Sequence, residues 1–286
     1  MADERPSHPL FDNTPAQGDH PLSDKPPEKR KESGQSIPIP LAAQIPLVTY
    51  ALIVVNVGVF VLRYIAPDLA NQILLAGYAD TALILGDGQY YRLFTSMFLH
   101  FNEAHILFNS IGLYYIGTNL ERLFGHARYA LVYFLGGLLG SVMPLFVSTG
   151  GLGASGAVFA IWGAEAVLLY RHRELFGEFG RQRLRSSLML MLVNFLAGFT
   201  GNALASAADS NVRIGNSAHL GGLLGGAGLA WYIAPVFVLR RKVSAILGEP
   251  NIEVIETNPL ANNIREVLFF CVGLLGLLLL AGFIRA

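Results

Sequence analysis

Gly153-Ala154-Ser155-Gly156-Ala157-Val158-Phe159 opens an apolar run that continues to residue 170 with one charged side chain, Glu165. A run close to the roughly 20 residues that a helix needs to cross a bilayer reads as a membrane span. Its serine allows two readings. Transmembrane helices use Gly, Ala and Ser wherever backbones approach closely, so Ser155 can be a packing residue. A hydroxyl can also be a nucleophile, which needs a base within hydrogen-bond reach and donors for an oxyanion. The rest of the chain decides between them.

Six further apolar stretches lie to either side of this one. With 152–170 in fourth place, the series runs 46–66, 104–120, 127–148, 152–170, 186–205, 214–238 and 265–284. The predicted fold is all-α, a polytopic membrane helix bundle with a six-helix core and a C-terminal seventh transmembrane helix. Composition agrees: 53% of the 286 residues are hydrophobic and 14% charged, with a mean hydropathy of +0.47, too apolar for a soluble domain. The formal net charge of zero gives a nucleic-acid partner no electrostatic support. A single cysteine, Cys271, excludes a disulfide framework and a thiolate metal cluster.

Residues 1–44 are polar and Pro-rich and read as a disordered tail without the apolar core of a secretory signal. The six-helix core is expected over 45–240, a cytoplasmic linker over 241–264 and the last span over 265–286. The long segment 67–103 carries Leu74, Leu75, Leu83, Ile84, Leu85, Tyr90, Tyr91 and Phe94, which suits the membrane interface. Charge predicts the orientation. With the N-terminus cytoplasmic, the tail holds five basic residues. The inner loops add Arg122, Arg128, five between Arg171 and Arg185, and Arg240, Arg241, Lys242 and Arg265. Only Arg63, Arg92, Arg213 and Arg285 fall outside. That asymmetry satisfies the positive-inside rule for an odd number of spans and places the C-terminus outside. No transit-peptide pattern precedes the tail, and a bacterial cytoplasmic membrane is expected.

In this topology the fourth and sixth spans both start on the outer side. Taking their starts near Gly151 and Ile214, Ser155 lies about 6 Å and His219 about 7–8 Å inside at 1.5 Å per residue. An ionisable group inside a span is a functional candidate by default, although a lone histidine can equally be a core residue bonded to a carbonyl. The sixth span continues Ala218-His219-Leu220-Gly221-Gly222-Leu223-Leu224-Gly225-Gly226. Gly222 and Gly226 share the face of His219, while Gly156, Ala160 and Gly163 make a small face on the fourth span. Apposed, the two faces would bring serine and histidine together.

A third cluster opens the second span: His100-Phe101-Asn102-Glu103-Ala104-His105-Ile106-Leu107-Phe108-Asn109. His105 and Asn109 lie four apart on one helical face. A pair of this kind can cap a helix, bind a metal or meet an oxyanion. Only Glu103 is near to complete a ligand set, so no metal site is assigned, and two neutral donors aimed at one point suit an oxyanion. Glu165, about 15 Å deeper than Ser155 at helical rise, is too far to orient His219. Asn194 on the fifth span is its expected partner, or protonation its alternative.

Together, Gly153-Ala154-Ser155-Gly156, Ala218-His219 with Gly222 and Gly226, and His105-x-x-x-Asn109 resemble the rhomboid intramembrane serine proteases. Tyr91-Arg92 is similar to that family's aromatic-Arg pair in the first outer loop, and Glu121-Arg122 followed by Gly125 to its Glu-Arg-x-x-Gly element. The resemblance covers about 46–240; the seventh span resembles the family's six-plus-one variant. It implies that Ser155 is the nucleophile and His219 the general base. His105, Asn109 and the Ser155 backbone N–H would form the oxyanion hole, and Phe159 would set an aromatic ring against the histidine. The implied activity is serine endopeptidase cleavage of transmembrane protein substrates within the lipid bilayer, near its outer face, without cofactor or metal. No Asp or Glu is near His219 in sequence, so a dyad is expected and not a triad. Two rivals stand beside this reading. A rhomboid-like pseudoprotease would bind transmembrane clients without cutting them, and commonly lacks one of the two residues. A transporter would carry broken helices and midplane charges.

Overall fold

Apolar runs of this length fold as helices in a bilayer because lipid offers their backbone groups no other hydrogen-bond partner. The computed structural model describes residues 45–148, 150–207, 215–243 and 250–285; the expected tail, 1–44, and Arg213 lie outside them. The first span is α1, Leu47–Ile65. After it come α2, Pro67–Gly77, a short strand β1, Ala79–Asp80, and two short helices, α3, Thr81–Leu85, and α4, Arg92–Thr95. The second span is α5, Glu103–Gly112, a π turn over Leu113–Gly117, and α6, Thr118–Phe124. Next are α7, His126–Val142, and strand β2, Gly150–Gly151. The fourth, fifth and sixth spans are α8, Ser155–Arg171, α9, Arg173–Ala207, and α10, Asn216–Ile233. Strands β3, Phe237–Val243, and β4, Pro250–Glu256, precede α11, Ile264–Arg285.

All seven expected spans are helical, so the chain is an all-α membrane helix bundle and an integral membrane protein. Among the described residues, Leu47–Ile65, His126–Phe146, Arg173–Leu204 and Leu260–Arg285 are each long and apolar enough to cross a membrane on their own. Large apolar side chains cover the outside of α9 and α11, among them Leu192, Phe199, Leu268, Val272 and Phe283. In water such a surface would be a liability; toward lipid it costs nothing.

The centre is α7, α8 and α10. From Gly156 to Glu165 every residue of α8 is buried, because α7 and α10 press against it through glycine. A methyl added to Gly136 or Gly137 of α7 would strike Ala160 or Ala157. These α7 glycines were not singled out in the sequence, although Gly136-Gly137-Leu138-Leu139-Gly140 carries the same spacing as the α10 run.

Buried charge fixes the outer helices. Glu121, 1% exposed, accepts hydrogen bonds from Val48 N (2.9 Å), Thr49 N (2.8 Å) and Thr49 Oγ1 (2.6 Å), and lies 2.5 Å from His126 Nδ1. One carboxylate thus satisfies the orphan N–H groups at the start of α1, where no side chain of α1 itself does so. Arg92 is buried in the first loop and donates to the carbonyls of Leu75 (2.9 Å) and Tyr78 (3.0 Å) and to Gln89 Oε1 (2.7 Å). Nearby, Asp80 caps α3 and accepts the Tyr78 hydroxyl (2.7 Å), which with the backbone donors holds its carboxyl below the ordinary range.

Two expectations are corrected. Glu165 does not pair with Asn194, whose amide donates to the Leu190 carbonyl (2.8 Å). It takes Arg183 Nε (2.7 Å) and Ser187 Oγ (2.8 Å) from the other end of α9. A carboxylate this buried needs a charged partner, and only a helix folded back beside α8 could bring one. The sixth span stops at Ile233, short of 238, and the chain leaves it extended. Strand β3 straddles the expected boundary at 240 and pairs antiparallel with β4, which lies inside the expected linker, with Leu239 opposite Val254 and Phe237 opposite Glu256. Arg128 anchors it, donating to Glu256 Oε1 (3.1 Å) and to the Asn258 carbonyl (2.5 Å).

Candidate active site

Strand β2 explains where Ser155 stands. Gly150 and Gly151 pair with Asp80 and Ala79, and Gly153 N donates to the Ser96 carbonyl (2.9 Å). The chain therefore reaches α8 extended, with Gly153 at φ +128°, a conformation open to glycine. The helix starts at Ser155 itself, so the serine is at its mouth and not about 6 Å inside, the depth expected from a start near Gly151. Its backbone N–H belongs to the first turn, which has no intrahelical acceptor, and no side chain caps it.

Gly153 has a second reason to be glycine. A Cβ there would lie 2.6 Å from His105 Cε1 and Nε2, so the imidazole of His105 occupies the space beside the serine's loop. His105 is held at the start of α5, where Asn102 Oδ1 accepts its backbone N–H (2.9 Å). One turn on, Asn109 is buried, and its Nδ2 has no hydrogen-bond partner. A buried amide left without an acceptor is costly in a finished core.

His219 is the fourth residue of α10. It is buried, and its ring lies flat on Phe159 with centroids 4.3 Å apart and planes 6° apart. Phe195 of α9 meets it edge-on at 6.3 Å. His219 Nδ1 is buried without a partner, and among the described residues no carboxylate bonds to it. The small faces predicted on α8 and α10 do appose. Cβ atoms built on Gly222 and Gly226 would run into the carbonyls of Gly156 and Ala160, and one on Gly163 into that of Leu223. The residue after Ser155 and the residue before His219 converge: a Cβ on Gly140 would lie 3.0 Å from both Gly156 Cα and the Ala218 carbonyl. No Ser155–His219 hydrogen bond is present among the described residues; unliganded catalytic pairs are often loose and tighten with substrate.

His100, just before the second span, is a site neighbour that helical periodicity does not reveal. It is buried, both its ring nitrogens lack partners, and its ring meets His105 edge-on with centroids 5.1 Å apart. The signal was there, a second histidine five residues before the first, but the loop between them hides their contact from helical periodicity.

A family profile for the Rhomboid domain matches residues 87–236, which includes His100, His105, Asn109, Ser155, Phe159 and His219. The chain is 33% identical to rhomboid protease GluP of Bacillus subtilis over 63% of its own length and 34% of that protein's. It is 33% identical to putative rhomboid protease YdcA of the same organism, over 55% of this chain and 75% of the relative. Rhomboid protease GlpG of Klebsiella pneumoniae is 28% identical over 64% of this chain and 62% of the relative. The chain thus spans only a third of GluP and somewhat under two thirds of GlpG. The glycine-packed helices, the serine at a helix mouth and the profile match over half the sequence agree: this chain belongs to the rhomboid family.

Proposed function

We propose that this protein is an intramembrane serine endopeptidase that cleaves transmembrane protein substrates near the outer membrane face through a Ser155–His219 dyad. The observation that carries the reading is the flat stack of His219 on Phe159, one helical turn beyond Ser155. It holds the imidazole against the very helix that bears the nucleophile. Among the described residues no carboxylate bonds to His219, which favours a dyad over a triad.

In this mechanism His219 accepts the Ser155 hydroxyl proton at Nε2 as Oγ attacks the scissile carbonyl. The oxyanion is met by the Ser155 backbone N–H, the Asn109 amide and the His105 ring N–H. The free amide of Asn109 is a donor already in place, which is the condition for electrostatic preorganisation. His219 then gives the proton to the leaving amine, and a water activated by the same imidazole releases the acyl group. Water must enter from the aqueous side, and both ends of the reading depend on a site that opens there.

The charge asymmetry supports a cytoplasmic N-terminus and an external C-terminus, and we place the protein in a bacterial cell membrane. A reporter fused after Arg241 should respond from the cytoplasm and one after Ala286 from outside; both responding from one side would remove the seventh span from the scheme. Labelling with a fluorophosphonate tests the activity. The intact protein should be labelled and Ser155→Ala should not. Equal labelling of both, or none of either, overturns the proposal and leaves the client-binding alternative.

A further inference from the structure

Away from the serine, α10 and α11 enclose a cavity of about 340 Å³ at the end of the bundle where the hairpin joins α11. Its walls include Gly228, Tyr232 and Ile233 of α10 and Phe269 and Phe270 of α11, with one carboxylate, Glu266. Gly228 leaves its part of the wall open: a Cβ there would meet nothing within 4 Å. Glu266 Oε1 accepts a hydrogen bond from Arg265 Nη2 (3.1 Å). The other oxygen, Oε2, is buried and has no partner. That oxygen takes no hydrogen bond from another residue, so an occupant that brings an N–H finds an acceptor on this wall.

We infer that this cavity is a binding site for a glycerophospholipid with a primary-amine headgroup, of the phosphatidylethanolamine type. The ammonium donates to Glu266 Oε2. The phosphate of the same headgroup meets Arg265, whose side chain is 78% exposed on the neighbouring position. Acyl chains run past Gly228 along Phe269 and Phe270. Opposite charges on adjacent residues match a zwitterion whose charges are a few bonds apart. A quaternary ammonium has no N–H to give, which separates this ligand from choline lipids. An apolar helix from another protein, or a second copy of this chain, would fill the walls and still leave Oε2 unpaired. With the orientation proposed above, the site faces the cytoplasmic leaflet.

The test is native mass spectrometry of the purified, delipidated full chain titrated with phosphatidylethanolamine, phosphatidylcholine and phosphatidylglycerol of identical acyl chains. The wild type should bind the ethanolamine lipid about tenfold more tightly than either other, the scale of one charge-assisted hydrogen bond. Glu266→Gln keeps the shape and should reduce that lipid to the level of phosphatidylcholine. Gly228→Leu should fill the cavity and lower retention of phosphatidylethanolamine with thermal stability unchanged, which decides the matter if Glu266→Gln does not fold. Equal binding of the three lipids, a preference that survives Glu266→Gln, or cross-linking of a second copy through Phe269 in place of lipid would each overturn the inference. Ser155→Ala should bind lipid as the wild type does, so failure of the protease reading and failure of this one are separate results.

Discussion

The imidazole of His219 and the ring of Phe159 are stacked within 6° of parallel at a centroid distance of 4.3 Å. Phe159 is itself packed by Trp162 and Phe195 at 5.2 and 5.4 Å, so the platform under the histidine is rigid. Misplacing a general base by about 1 Å can cost roughly 10²-fold in rate. Phe159→Ala should therefore lower kcat by about that factor, while Phe159→Tyr, which keeps the ring, should retain most activity. The measurement is reporter cleavage per folded molecule. Unchanged kcat in Phe159→Ala would reduce the stack to packing.

Serine and histidine that work as one unit should fail as one unit. Ser155→Ala and His219→Ala are each expected to abolish cleavage of a transmembrane reporter with the fold retained, and the double variant should be no worse. Full cleavage by purified Ser155→Ala, with contaminating protease excluded, would end the dyad.

Asn109 is the cleanest probe of the proposed oxyanion site, because its Nδ2 is buried without a hydrogen-bond partner. Asn109→Ala should lower kcat roughly 10²–10³-fold, the usual loss for one oxyanion donor, with little change in KM. Active-site titration with a slow fluorophosphonate counts competent molecules. Near-normal turnover per titrated site would show that Asn109 only secures the second helix.

Glycine contacts between α8 and α10 make a stability prediction independent of chemistry. Gly222→Ala and Gly226→Ala each force a methyl into a facing carbonyl and should destabilise by about 1–3 kcal/mol. Gly273→Ala on α11, with nothing within 4 Å, should be neutral or stabilising by up to about 1 kcal/mol from helix propensity. Thermal unfolding of the three variants in one detergent would check the order, and an equal loss at Gly273 would refute the packing account.

Much of this was legible in the chain because its signals are local and periodic. Seven apolar runs mark seven helices, since a bilayer allows few other structures to cross. The spacing of Gly222 and Gly226 from His219, and of Gly156, Ala160 and Gly163 near Ser155, identified the faces that meet, because three and four residues apart on a helix is one face. What the sequence could not determine depends on contacts between segments far apart in it. Ser155 sits at a helix mouth because Gly150–Gly151 pairs with Ala79–Asp80, some seventy positions away. Pro250–Glu256 lies in the stretch read as linker, and only its pairing with Phe237–Val243 gives both backbones their partners. Glu165 was matched to Asn194 because both are polar residues in neighbouring spans, whereas the folded chain brings it Arg183 and Ser187. Periodicity fixes which side chains share a face; which faces then meet, and which buried charge finds its partner, is decided by packing, where desolvation makes an unpaired group too costly to leave.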